Sequence, residues 1–308
     1  MRCVSGAVFI ICIIILFLLL LYLKIFFKKY KKFCLLRLYT LVYYLRGVNK
    51  TMTKEMFNSL FVRCSKYCKG CKSHAQKFLT YDEAKKFVKD CLLDLADLDE
   101  RGELLNNIKP LAGLDGNSKL SGIATISFCP FISCLNQKCF QSNNGKKPTC
   151  YGTRGKFIQV AKLTNSIINS YFLEKHPKII EIECASACLT ARNFRWCENG
   201  DIMRSDDIKL INKIAKNNPK TEFLLMTKQF SALDEFLANN KVAKNLTIRP
   251  SLDSLDGVTY ENKYNLPLSD IFKNEAPKNA FICRSNECKT CKACWNKNIK
   301  KVVYEYHL

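Results

Sequence analysis

The sequence predicts an α/β protein whose strands and helices alternate into a parallel sheet, open or closed into a partial barrel, preceded by one transmembrane helix. Three observations predict it. Beyond residue 105, short runs rich in β-branched and aromatic residues take turns with segments whose apolar residues recur at helical spacing, the pattern of strand–crossover helix–strand units. Near the start, Val4 to Leu23 form an almost unbroken apolar run of about 20 residues, long enough to span a bilayer as a helix. The 308 residues leave room for one large or two smaller domains behind it.

The elements follow in order. Lys24, Lys28, Lys29, Lys31 and Lys32 come after the apolar run, whereas only Arg2 and the amino terminus precede it. The positive-inside rule therefore places the bulk of the chain in the cytosol, behind a single-pass anchor. The run is long and no small-x-small site follows, so it is not a cleavable signal peptide. Translation from Met52 is the competing reading, because residues 1–51 have the Phe, Ile, Leu, Lys and Tyr bias of an AT-rich frame; the product would then be cytoplasmic. Residues 1–32 are read as the anchor and its basic flank. Residues 33–105 are read as a linker with an interfacial stretch, the Cys64/Cys68/Cys71 motif and one amphipathic helix. In that helix Thr80 and Glu83 form a capping box, and Ala84, Phe87, Val88, Cys91, Leu92 and Leu95 form a stripe. The polar, turn-rich stretch beginning DERGELLNN sets a boundary near residue 105, and residues 106–308 are the cysteine-rich α/β domain.

Within that domain Phe157, Val160, Thr164, Ile167, Ile168 and Tyr171 mark a helix starting at about Lys156, and KIIEIE reads as a buried strand. FRW reads as another. Ser205 caps a helix with Asp206 and Asp207 in its first turn, running to about Asn217. TEFLLMT is a strand, SALDEFLAN a helix and NLTIR a strand. Folds of this kind carry their working residues at the C-terminal ends of the strands. That points to CENGD after Trp196, to Thr227 and Lys228, and to Arg249.

The net charge is +22, of which residues 1–50 supply +9 with no acidic residue, leaving +13 (22 − 9) for the rest. Such a field attracts phosphate, nucleic acid or anionic lipid, but solvated lysines explain it equally, since no dense basic run follows the juxtamembrane cluster. The cysteines say more. There are 18 of them against 3 His, and a reducing cytosol turns that count from disulfides to metal or redox chemistry. Cys283, Cys288, Cys291 and Cys294 are spaced C-x4-C-x2-C-x2-C. Both component spacings occur among iron–sulfur ligands, and four thiolates also suit a structural zinc. A second set is Cys129, Cys134, Cys139 and Cys150. A third, Cys64, Cys68 and Cys71, has the C-x3-C-x2-C spacing of radical S-adenosylmethionine enzymes, with Gly70 where those enzymes usually carry an aromatic residue. Three thiolates on a four-iron (4Fe-4S) cluster leave one position open, by the logic that separates catalytic from structural zinc sites. Cys184, Cys188 and Cys197 read as buried apolar thiols.

In order, GNSKLSGIATISFCP, CYGTRGKF, RWCENGDI, FLLMTK, CKTCKACW and VVYEYH resemble the motifs of the phage-type "gene product 88" family over about residues 112–307. The cysteine layout of that family is similar to that of radical S-adenosylmethionine and related iron–sulfur proteins on a partial α/β barrel. The resemblance implies that Cys129 and Cys150 occupy the Cys-Pro and Cys-Tyr elements, with Cys134 and Cys139 competing for a third place. It implies that Arg195, Gly200 and Asp201 form the Arg…Gly-Asp element, and that Cys283, Cys288, Cys291, Cys294 and His307 form the closing run. Two features depart from the pattern: the interval between Cys139 and Cys150, and Cys197 where many members have His.

Two functional readings result. In the first the protein is an iron–sulfur enzyme of radical type. S-adenosylmethionine would bind an open iron held by Cys129, Cys150 and one of Cys134 or Cys139. Asp201 and Arg195 would hold cofactor or substrate, and the C-terminal cysteines a second cluster fed by an electron donor. In the second it is a non-enzymatic zinc protein whose lysines contact nucleic acid, with Phe140 and Trp295 stacking on bases.

Overall fold

The computed structural model describes residues 77–113, 120–137, 139–141, 150–284 and 287–305. The apolar N-terminal run, Cys64, Cys68, Cys71 and His307 lie outside the described residues, and among the described residues no helix is long and apolar enough to cross a membrane.

Four short strands organise the fold: β1 (Ala124–Ile126), β2 (Asn193–Trp196), β3 (Glu222–Thr227) and β4 (Leu246–Pro250). They lie side by side in chain order and every pair is parallel. The crossover from β1 to β2 carries α4 (Val160–Lys175) and α5 (Pro177–Ala187). That from β2 to β3 carries α6 (Ser205–Asn217), and that from β3 to β4 carries α7 (Phe230–Asn239). Consecutive parallel strands with crossovers of one hand place all these helices on one face of the sheet.

Strand alternation sorts the side chains accordingly. Phe194, Trp196, Phe223, Leu225, Leu246 and Ile248 enter the core with Leu163, Ile167, Ile180, Ile208, Leu233 and Phe236 of the helices. Arg195, Leu224, Met226, Thr247 and Arg249 alternate with them and so face the other way. On that inner face Leu224 packs with Leu120, Ile123 and Trp295 in a separate apolar cluster.

A second parallel sheet has the order β5 (Leu268–Phe272), β7 (Lys301–Glu305), β6 (Phe281–Ile282). A parallel bridge between Ser251 and Ser269, with the Leu252 N–H on the Ser269 carbonyl at 2.7 Å, joins the end of β4 to β5. The helix α1 (Tyr81–Glu100) has the expected capping box and buries Ala84, Val88, Cys91 and Leu95. It shares the main core, and Asp99 near its end takes a hydrogen bond from Tyr171 of α4 and meets His176. A short turn, α2 (Leu104–Asn107), follows it.

The strands expected at FRW, TEFLLMT and NLTIR are present, and three local expectations are corrected. KIIEIE is not a strand but lies in α5, which opens on Pro177 in its first turn and buries Ile180 and Cys184, four residues apart, while Lys213 reaches Glu181. An apolar run this short does not separate strand from helix by periodicity. The helix expected from Lys156 begins at Val160, after two 3₁₀ turns at Tyr151–Thr153 and Gly155–Ile158. The cap of α6 is Arg204, whose N–H bonds the Asp207 carboxylate, and Ser205 is already helical.

Candidate functional site

The C-terminal ends of β1 to β4 deliver four loops to one edge of the sheet, and hydrogen bonds weld them together. Phe128 N–H donates to the Asn199 carbonyl at 2.8 Å. Gly200 has φ +68°, and a Cβ there would collide with the Phe128 carbonyl; only glycine lets the two loops touch. The Ser133 hydroxyl donates to the Cys129 carbonyl at 3.0 Å and accepts the Asp201 N–H at 2.9 Å. The Asp201 carboxylate accepts the N–H groups of Ile202 (2.8 Å) and Lys228 (2.7 Å). Burial nonetheless pushes its pKa up to about 6, the direction desolvation imposes on a carboxylate. Gln229 donates to the Ser133 carbonyl, Gln137 to the Lys228 carbonyl, and the Lys228 ammonium to the Ser251 hydroxyl at 3.3 Å.

Four thiols gather at this mouth. Cys150 N–H donates to the Cys139 carbonyl at 2.7 Å. The Cys139 thiol bonds to Cys150, holding Cys150 below the ordinary thiol value while raising its own. Lys228 acts on both in the direction that favours thiolate. Cys134, the residue after the single turn α3 (Pro130–Ser133), is raised by burial and by Asp201 and lies in the field of Cys139. Cys129, which also acts on Cys134, is held against α4. It precedes α3, its N–H donates to Ser170 of α4 at 2.8 Å, and its thiol rests against backbone N–H groups of the turn and Ser166. Burial pushes that thiol up to about 12. The sequence pointed to Cys129, Cys150 and one of Cys134 or Cys139; the structure brings all four to the mouth, with Cys134 in the field of both Cys129 and Cys139 and Cys150 in that of Cys134.

The C-terminal cysteines occupy the inner face of the sheet. Cys283 follows β6, Cys288 and Cys291 bracket the one-turn helix α8 (Cys288–Cys291), and Cys294 lies in the next turn. Lys292 reverses the chain between them at φ 50°. The Cys294 sulfur is 3.0 Å from the Tyr304 hydroxyl. Cys283 and Cys294 lie in each other's field, and Cys288 and Cys294 pack against the inner apolar cluster. One side chain pins the segment. Arg249 is wholly buried. Its Nε bonds the Cys294 carbonyl at 2.7 Å, one terminal nitrogen bonds Leu268 and Ile299 (both 3.0 Å), and the other bonds Asn296 (2.8 Å) and Ala293 (3.3 Å). All five guanidinium donors thus end on backbone carbonyls. Thr247 adds a bond to the Trp295 carbonyl at 2.8 Å. Arg249, expected at a working strand end, is a staple instead.

Arg195, from the middle of β2, faces the same side. The ionisable groups that act on it are Tyr151, Tyr304, Cys294 and Cys288. Asp201 is at the mouth and makes no bond to it. The twelve described cysteines are all free thiols. Cys184 and Cys197 are buried with strongly raised pKa values, as expected of inert core thiols. Among the described residues no group of three His, Cys, Asp or Glu is close enough to enclose a single metal ion. Sequence reasoning missed Ser133, Gln229, Tyr151 and Tyr304. The two tyrosines stand inside the quoted motifs CYGTRGKF and VVYEYH, whereas nothing in the sequence marks Ser133.

A family model described as gene product 88 matches residues 94–302 of the chain. No curated protein and no solved structure matches it.

Proposed function

The chain belongs to the gene product 88 family, and from that membership and the placement of its thiols we propose that it is an iron–sulfur enzyme of the radical S-adenosylmethionine type. The observation that supports the reading is the placement of Cys134, Cys139 and Cys150 on loops at the C-terminal ends of a consecutive parallel sheet. Parallel α/β folds carry their chemistry there. The donor set fits a cluster: three thiolates hold it and leave one position open.

Such a cluster, when reduced, supplies the electron that cleaves S-adenosylmethionine to a carbon radical. The rest falls to this chain's side chains. The hydrogen bond from Cys139, with Lys228 nearby, holds Cys150 toward thiolate. Asp201, fixed by two backbone N–H groups, anchors the β2 and β3 loops beside them. The four C-terminal thiols form a closed second centre, and an electron donor completes the system. The apolar run Val4 to Leu23 is the proposed membrane anchor, with the bulk of the chain on the cytosolic side.

Metal and acid-labile sulfide, measured on anaerobically purified protein, test the reading. Iron and sulfide for two clusters, with iron falling by about half in Cys150→Ser, supports it. Zinc without sulfide would replace it with the structural zinc reading and its nucleic-acid partner.

A further inference from the structure

Arg195 stands on the inner face with its charge unanswered. Its Nε is closed off from solvent and meets no acceptor, and among the described residues it takes part in no ion pair. Arg249, two strands away on the same face, shows what a structural guanidinium looks like in this fold, with every donor on a carbonyl. Arg195 has no such ring. The groups around it are two phenols and two thiols. The Tyr151 hydroxyl is already committed, donating to the Glu198 carbonyl at 2.8 Å. The Tyr304 hydroxyl sits between the Cys294 sulfur (3.0 Å) and the Met226 sulfur (3.8 Å). Burial raises both phenols, so at neutral pH neither supplies a negative charge. Arg195 as a whole is half-buried, so its outer nitrogens are open to a ligand, and its planar fork is suited to two oxygens of one anion.

We propose that Arg195 is the anchor of a ligand-binding subsite on the inner face, lying between the mouth thiols and the C-terminal thiols, and that it grips an oxyanion of the ligand, a carboxylate or a phosphate. Tyr151 and Tyr304 wall the subsite on its two sides. Cys294 and Cys288 border it, so a ligand held there touches the C-terminal segment. The inference does not depend on which metal the thiols hold.

The chain has two tryptophans, Trp196 and Trp295. Trp196 follows Arg195 in β2 but enters the helix-side core, whereas Trp295 lies in the inner apolar cluster, so a Trp196→Phe background leaves the inner-face Trp295 as the fluorescence probe. Full-length protein in this background is titrated with acetate and, separately, with inorganic phosphate at constant ionic strength. A saturable change with acetate alone identifies a carboxylate ligand, and one with phosphate alone a phosphorylated ligand. Arg195→Gln is expected to weaken the response about tenfold or more, the size of a lost charge-assisted bond. Arg195→Lys keeps the charge without the fork and falls between, which separates lost recognition from lost folding. The C-terminal metal content stays at the parent level in both variants. The proposal is overturned if neither anion perturbs the parent protein, or if Arg195→Gln binds as the parent does. It is equally overturned if Arg195→Gln strips metal from the C-terminal cysteines while the anion response persists, because the thiolates would then be the counter-charge.

Discussion

At the mouth of the sheet, the thiols hang from loops that hold one another by scattered side-chain bonds from Ser133, Asp201, Gln137, Gln229 and Lys228. On the inner face, four thiols ride on one segment that a single guanidinium binds through five carbonyls. The mouth has ionisable groups beside its sulfurs and a hydrogen-bonded thiol pair in which Cys139 holds Cys150 toward thiolate. The inner segment is walled by Leu120, Ile123, Leu224 and Trp295. The same element, sulfur, is presented in two ways: among polar side chains at the mouth, and on a pinned, apolar-walled segment on the inner face. That contrast makes the two regions separable by mutation.

The largest effect is expected at Arg249. Arg249→Met removes the guanidinium from five backbone carbonyls, four part-buried and one buried. A buried unsatisfied group costs about 1–3 kcal/mol and such costs do not simply add, so we expect a loss of about 4 kcal/mol or more by denaturant unfolding. The C-terminal segment should become the first site of limited proteolysis and lose its metal, while the mouth centre stays loaded. Loss of both centres together would show that the two regions are not independent. Gly200→Ala strikes the other side. The left-handed backbone and the collision with Phe128 should cost roughly 1–3 kcal/mol and lower metal at the mouth alone, read as iron retained by the C-terminal set. Ser133→Ala is the mildest. It leaves the Asp201 N–H without its acceptor for about 1 kcal/mol, and it sharpens the comparison if S-adenosylmethionine affinity falls while C-terminal metal is unchanged.

Much of this architecture could be read from the chain, and what could not has local causes. β2, β3 and β4 announce themselves because each is a short apolar run between turn residues and helical stripes. KIIEIE escaped because both faces of its segment meet packed neighbours, Ile180 and Cys184 toward the core and Glu181 toward Lys213, and an apolar run so short has no period. The cysteine sets were visible as spacings, but spacing does not say where a sulfur points. Cys129 and Cys134 flank one helical turn, and Cys129 is held by Ser166 and Ser170, which are 37 and 41 residues away (166 − 129; 170 − 129). Arg249 looked like a strand-end working residue for the same reason. Its five acceptors come from residues 268–299, and no sequence window joins them to β4.

The measurement that bears most directly on the central claim is electron paramagnetic resonance of the reduced, anaerobically loaded protein with and without S-adenosylmethionine. Two centres of the proposed kind give two sets of signals. Addition of S-adenosylmethionine should shift the one that Cys150→Ser abolishes and leave unchanged the one that Cys288→Ser with Cys291→Ser abolishes, and 5′-deoxyadenosine should accumulate slowly. A fully loaded protein whose spectrum does not respond to S-adenosylmethionine, or whose response survives Cys150→Ser, would contradict an open centre at the mouth.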